Sequence, residues 1–167
     1  MIRKSLLVTV AVFSFGCGGG APAAPPVPFR PVADTKTLMN TVIDPNTDVV
    51  WNAVASVITA AGIEEIRPKT DEQWTAVRNA AMVVAESGNL LMMAPRAKDG
   101  DEWMKSAQAL IETGNAAVAA AEKKDADQLF TVGGEIYGAC TNCHVKYIDV
   151  IREAEALNKS LEERQRK

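Results

Sequence analysis

The sequence predicts an all-α fold, an antiparallel four-helix bundle, on three observations. Alanine is abundant, β-branched runs are few, and aromatics make up only 5% of the 167 residues, a balance that favours helix over sheet. Four stretches carry apolar residues at helical spacing. The connections between them are short, which makes consecutive helices antiparallel neighbours. With 47% apolar residues, a chain of one-domain length can bury a core.

The first helical stretch starts after Asp34, an N-cap, and carries Leu38, Met39, Val42 and Ile43. Asp44-Pro45 interrupts it, because proline pushes the preceding residue out of the helical region. Helix is expected to resume near Asn46 and run to about Ala61, with Val50, Val54, Val57, Ile58 and Ala61 as its stripe. Gly62 closes it, and a connector follows to Lys69. Thr70 and Gln73 form a capping box for the second helix, striped by Trp74, Val77, Ala81, Val84, Gly88 and Leu91. It ends at Met92 to Pro95, and a charged loop runs from Arg96 to Gly100. The third helix starts about Asp101, with Trp103, Ala107, Leu110, Ile111, Gly114, Ala117, Val118 and Ala121 facing one way. Its small run, Ala116 to Ala121, suits either a flat cofactor or a close helix neighbour. The fourth starts at Asp125, paired with Gln128 as a weaker capping box. Its stripe is Leu129, Val132, Ile136, Cys140, Cys143, Tyr147, Ile151 and Ala154.

Cys140-Thr141-Asn142-Cys143-His144 is the chemical centre of the chain. C-x-x-C-H is the attachment signature of c-type haem: two thiols add to the haem vinyl groups and the imidazole takes one axial iron position. On a helix, spacings of three and four put Cys140, Cys143 and His144 on one face. The rivals fit less well. A structural zinc site takes four Cys or His ligands, whereas His144 is the only histidine and the only other cysteine is Cys17. No strand–helix–strand pattern supports a thioredoxin-like motif. Gly133, Gly134 and Gly138 precede the motif, each costing about 1 kcal/mol against alanine in a helix, and clearance for a porphyrin edge is a reason to keep them.

The N-terminus reads as an export signal, residues 1–16. Arg3 and Lys4 precede an apolar stretch, Ser5 to Phe15, that is too short to span a bilayer. Gly16-Cys17 suits bacterial lipoprotein processing, with Cys17 as the lipid-attachment residue; cleavage near Ala23 is the alternative. Residues 17–33 form a Gly/Ala/Pro linker, 34–157 the helical domain and 158–167 a charged end. Removing Arg3 and Lys4 from the 18 basic residues leaves 16 against 21 acidic ones, net −5, which argues against nucleic acid as a partner and permits a basic redox partner. The expected location is periplasmic, on a membrane anchor, in a Gram-negative bacterium.

The last helix resembles that of the class II c-type cytochromes, the cytochrome c′ family. The shared residues are Ile136, Ala139-Cys140, Asn142-Cys143-His144 and the aromatic Tyr147 three residues after the histidine. Over about Thr35 to Glu155 the rest agrees in pattern and length. The resemblance implies a four-helix bundle with one covalent haem c on the C-terminal helix and His144 as proximal iron ligand. It implies that Leu38-Met39 covers the other haem face, with Met39 as sixth ligand. Met92, Met93, a lysine or an open position are the other sixth-site options. Arg30 and Arg152 are candidate propionate partners, and a homodimer is an expectation carried by family members.

Two functions follow as expectations: single-electron transfer, or binding of nitric oxide or carbon monoxide at an open iron site. Trp51, Trp74, Trp103 and Tyr147 either line the cofactor pocket or anchor the core. No second histidine, nucleophile–base constellation or phosphate-binding glycine loop supports an enzyme.

Overall fold

The structure, a computed structural model, describes residues 29–149 together with 159, 162–164 and 166. Cys17, the export signal, most of the linker, Arg152, Ile151 and Ala154 lie outside the described residues. The chain is mostly helical, with one small two-stranded sheet. Its elements are α1 (Thr35–Leu38), a π-helical segment (Met39–Ile43), α2 (Asp44–Asn52), β1 (Ala55–Thr59), β2 (Gly62–Ile66), α3 (Asp71–Met92), α4 (Glu102–Glu122) and α5 (Ala126–Tyr147). Among the described residues no helix is long and apolar enough to cross a membrane.

Asp34 caps the N-terminal arm as its sequence indicates, its carboxylate accepting from the Thr37 amide at 2.7 Å. Pro45 does not break the arm. A proline inside an α-helix lacks an N–H and its ring crowds the carbonyl four residues back. Here the turn before it widens to π geometry, with the Asp44 amide reaching the Met39 carbonyl. Side chains meet two carbonyls of that turn: Asn46 Nδ2 donates to Val42 at 2.7 Å and Thr47 Oγ1 to Ile43 at 2.8 Å.

The expected helix to Ala61 ends instead at Asn52. Residues 55–66 form an antiparallel hairpin in which Ala55 pairs with Ile66, Val57 with Glu64 and Ile58 with Ile63. Ser56-Val57-Ile58-Thr59 suits the pleated conformation. Gly62 turns the chain at φ +133°, a value that side-chain-bearing residues rarely adopt. Val57 and Ile58 are therefore exposed rather than part of a helical stripe.

The Thr70–Gln73 capping box opens α3 with both reciprocal bonds formed. Asp125 opens α5 by accepting from the Gln128 amide, one half of the expected box. α4 is capped from further back than expected, since the Asp99 carboxylate accepts from the Asp101 and Trp103 amides. α3 and α4 run antiparallel: Trp103 Nε1 donates to the Leu91 carbonyl at 2.8 Å at one end, and Arg78 meets Glu122 at 3.1 Å at the other.

Their contact depends on small residues. A Cβ on Gly114 would stand 2.7 Å from the Ala85 backbone, and one on Gly88 2.4 Å from the Ala107 carbonyl oxygen. Ala117, Ala120 and Ala121 are buried there, so this run serves close helix packing. Trp74 and Trp103 are core anchors, at 7% and 3% exposure. Leu129, Val132 and Ile136 complete the core from α5. α5 ends at Tyr147, where Ile148 leaves the helix at φ −108°, ψ 109°; the end of the expected stripe, Ile151 and Ala154, lies outside the described residues.

Arg96, which opens the charged loop, is buried at 6% exposure. Its Nε and Nη1 each donate at 3.0 Å, to the carbonyls of Ala33 and Leu90. It thus ties the start of the N-terminal arm to the carbonyl-rich end of α3, where a positive charge is electrostatically favoured.

Candidate functional site

Cys140, Cys143 and His144 occupy the penultimate turns of α5, all half-buried. Both thiols are free and pack against the core. Burial pushes the Cys140 thiol above its ordinary pKa, and the neighbouring Cys143 and Asp44 push it further. Cys143 is also raised by burial, with Asp99 adding to it and a hydrogen bond with Ser106 opposing. Both therefore stay protonated at neutral pH. Cys140 thus looks toward α2, which carries Asp44, and Cys143 toward α4, which carries Ser106. The His144 side chain makes no hydrogen bond or ion pair with any described residue, so both ring nitrogens keep their bonding capacity.

The face that carries the motif continues down α5. Phe130, Gly133, Tyr137, Cys140 and His144 are spaced alternately three and four apart, one seam on a helix. Opposite it runs the N-terminal arm. Trp51 Nε1 donates to the Gly133 carbonyl at 2.9 Å, and its ring meets that of Tyr137 at 6.2 Å between centroids. A Cβ on Gly133 would approach Trp51 to 3.3 Å, so this glycine admits the indole. Gly134 and Gly138 border open space.

These pairings fix an antiparallel register. Trp51 lies opposite Gly133. Two turns earlier on α2, Asp44 acts on Cys140, two turns later on α5. Met39 is half-buried against the core, within the π-helical segment. Met92, also half-buried, and Met93 lie at the end of α3, the end tied by Arg96 to the start of the arm.

The end of α5 is held by Tyr147. Its hydroxyl donates to the Asp99 carboxylate, and its ring stands edge-on to Trp103 at 5.0 Å. Partial burial first, and the adjacent Asp99 second, push the phenol up to about 12. The same bond, with the Trp103 amide, holds the Asp99 carboxyl below the usual carboxylate range. The Ile148 amide then closes the last turn on the His144 carbonyl at 2.9 Å.

Sequence reading missed Asp99, Ser106 and Asp44 as neighbours of the motif, since each approaches from another element. It also missed the cleft below the motif, of about 310 Å³, lined by Val50, Trp51, Val54, Phe130, Gly134 and Tyr137. The alternating spacing from Phe130 to His144 is the signal that leads to it. Among the described residues no group of three or more His, Cys, Asp and Glu side chains is placed to hold a metal ion. No protein-family model, curated protein or solved structure matches the chain.

Proposed function

We propose that this chain is a monohaem c-type cytochrome of the four-helix-bundle kind, carrying single electrons in the cell envelope. One observation carries the proposal. Two free thiols and an imidazole without a described partner stand on consecutive turns of α5, all half-buried. The donor set fits a covalent haem. Cys140 and Cys143 would each add S–H across a vinyl group, the proton going to the adjacent carbon, and His144 would bind the iron through a ring nitrogen. The bound group would supply the one-electron iron couple.

The chain's own residues do the rest. Tyr147, held by Asp99, fixes the turn that presents His144. Trp51 holds α2 against α5 below the motif. Leu38 and Ile43, buried beside Met39, keep the opposing wall apolar, and a poorly solvated wall raises the reduction potential relative to an exposed site. Cys17 as a lipid anchor and a basic redox partner complete the reading.

The test is to export the protein in a host that matures c-type cytochromes and record its spectrum. The expected product is coloured, with pigment that resists acid-acetone extraction. Replacing Cys140 and Cys143 with alanine should make that pigment extractable. A colourless mature protein would overturn the proposal.

A further inference from the structure

We propose that the cleft between α2 and α5 is the docking surface for a cationic protein that inserts an apolar side chain beside Trp51. The partner's role as electron donor or acceptor rests on the cytochrome reading above. The surface itself does not need the haem, because α2 and α5 form it.

Two independent features point to this occupant. The first is an exposed aromatic lining: Phe130 and Tyr137 are 60% and 63% exposed, around the half-buried Trp51. Contiguous apolar surface of this kind marks interaction sites. The cleft centre at Gly133–Gly134 is ten to eleven residues from His144, about 16 Å along a helix, so it lies below the turn that carries the motif.

The second feature is charge. None of the chain's 18 basic residues falls within 44–66 or 126–140, the stretches that build the cleft and hairpin. Six carboxylates do: Asp44, Asp48, Glu64, Glu65, Asp127 and Glu135. Arg67, just after β2, pairs with Glu65 and Asp127. Asp44, Asp48, Glu64 and Glu135 form no ion pair with a described residue. Asp44 and Asp48 lie seven and three residues before Trp51, and Glu135 adjoins Gly134. An apolar cleft beside uncompensated negative charge selects a positively charged partner and speeds its encounter. The same charges oppose a second copy of this face and an anionic lipid surface.

The experiment uses the full mature protein, with a lysine-rich soluble cytochrome as the probe. Backbone and indole N–H resonances are followed by NMR during the titration. The expected result is movement of the Trp51 indole signal and of residues 130–137. Affinity should fall about tenfold in the double variant Asp48→Lys, Glu135→Lys, and fall again as salt is raised. Phe130→Ser should weaken binding with its salt dependence unchanged. Circular dichroism of each variant checks the fold. Signals that stay still throughout overturn the proposal. So does movement with protein concentration alone, which means a second copy, or movement with anionic phosphatidylglycerol vesicles, which means a membrane. A colourless protein that still binds the probe overturns the cytochrome reading and leaves the docking surface standing.

Discussion

The indole of Trp51 bonds to the main chain of Gly133, 82 residues away, at the point where an α5 side chain is absent to receive it. This is the main polar link between the N-terminal arm and the helix that carries the Cys-His motif. Replacing Trp51 with Phe keeps most of the apolar bulk and removes the donor. The expected loss is about 1 kcal/mol, read as a fall in Tm of about 3 °C. A variant as stable as the parent would show that the arm is held by apolar contact alone.

The glycines of the long helices divide into two kinds. Gly114→Ala places a methyl 2.7 Å from the Ala85 backbone, and overpacking of this sort costs about 1–3 kcal/mol. Gly134→Ala meets nothing within 4 Å and gains helix propensity, about 0.5–1 kcal/mol. Denaturant midpoints of the two variants should therefore move in opposite directions. If Gly134 gives clearance to a porphyrin edge, its alanine variant should also lose bound pigment while gaining stability as apoprotein.

On the proposed reading Met39, half-buried against the core within the π-helical segment, is the sixth-ligand candidate. The matured protein is expected to show a low-spin reduced spectrum with sharp α and β bands. Met39→Ala should convert it to a broad high-spin spectrum that responds to carbon monoxide. An unchanged low-spin spectrum removes Met39 and leaves Met92 or Met93. A parent protein that is already high-spin favours gas binding over electron transfer.

The Tyr147–Asp99 bond makes stability sensitive to both pH extremes. Asp99 is held below its usual range, so its contribution is complete above the unfolded value of about 3.9 and is lost as pH falls through the lower folded value. Tyr147 is raised to about 12. Its contribution is complete below the unfolded value of about 10 and is lost as pH rises through 12. Asp99→Asn should flatten the acid limb of a Tm-against-pH curve. Tyr147→Phe should flatten both limbs. Ultraviolet titration of the two tyrosines should show one ionising later than a free phenol.

Most of the helical frame was legible because its signals are local. Asp34, Thr70 and Asp125 cap the elements they precede, and the α3 and α4 stripes lie in the core. The Cys140–His144 motif also sits on the inward half of the last helix. The hairpin was not legible. Val54, Val57, Ile58 and Ala61 continue the helical spacing of Val50 by accident, while Ser56 to Thr59 and the turn glycine Gly62 favour strands. Spacing alone cannot separate the two. Pro45 misled in the other direction, since the widened turn that absorbs it depends on Asn46 and Thr47. Asp99, Ser106 and Asp44 reach the motif only through folding, and no neighbouring residue in the chain announces them.

That widened turn has a geometric consequence for the arm. A π turn holds one residue more than an α turn, so everything before it is rotated by about 100° relative to an uninterrupted helix. The segment Met39–Ile43 thereby acts as a phase shifter between two ends of one rod. Trp51 is aimed at Gly133 by the lower end, and the azimuth of Met39 is set separately by the upper end. Deleting one residue there would turn the two ends relative to each other and bring the Pro45 ring against the carbonyl one turn back.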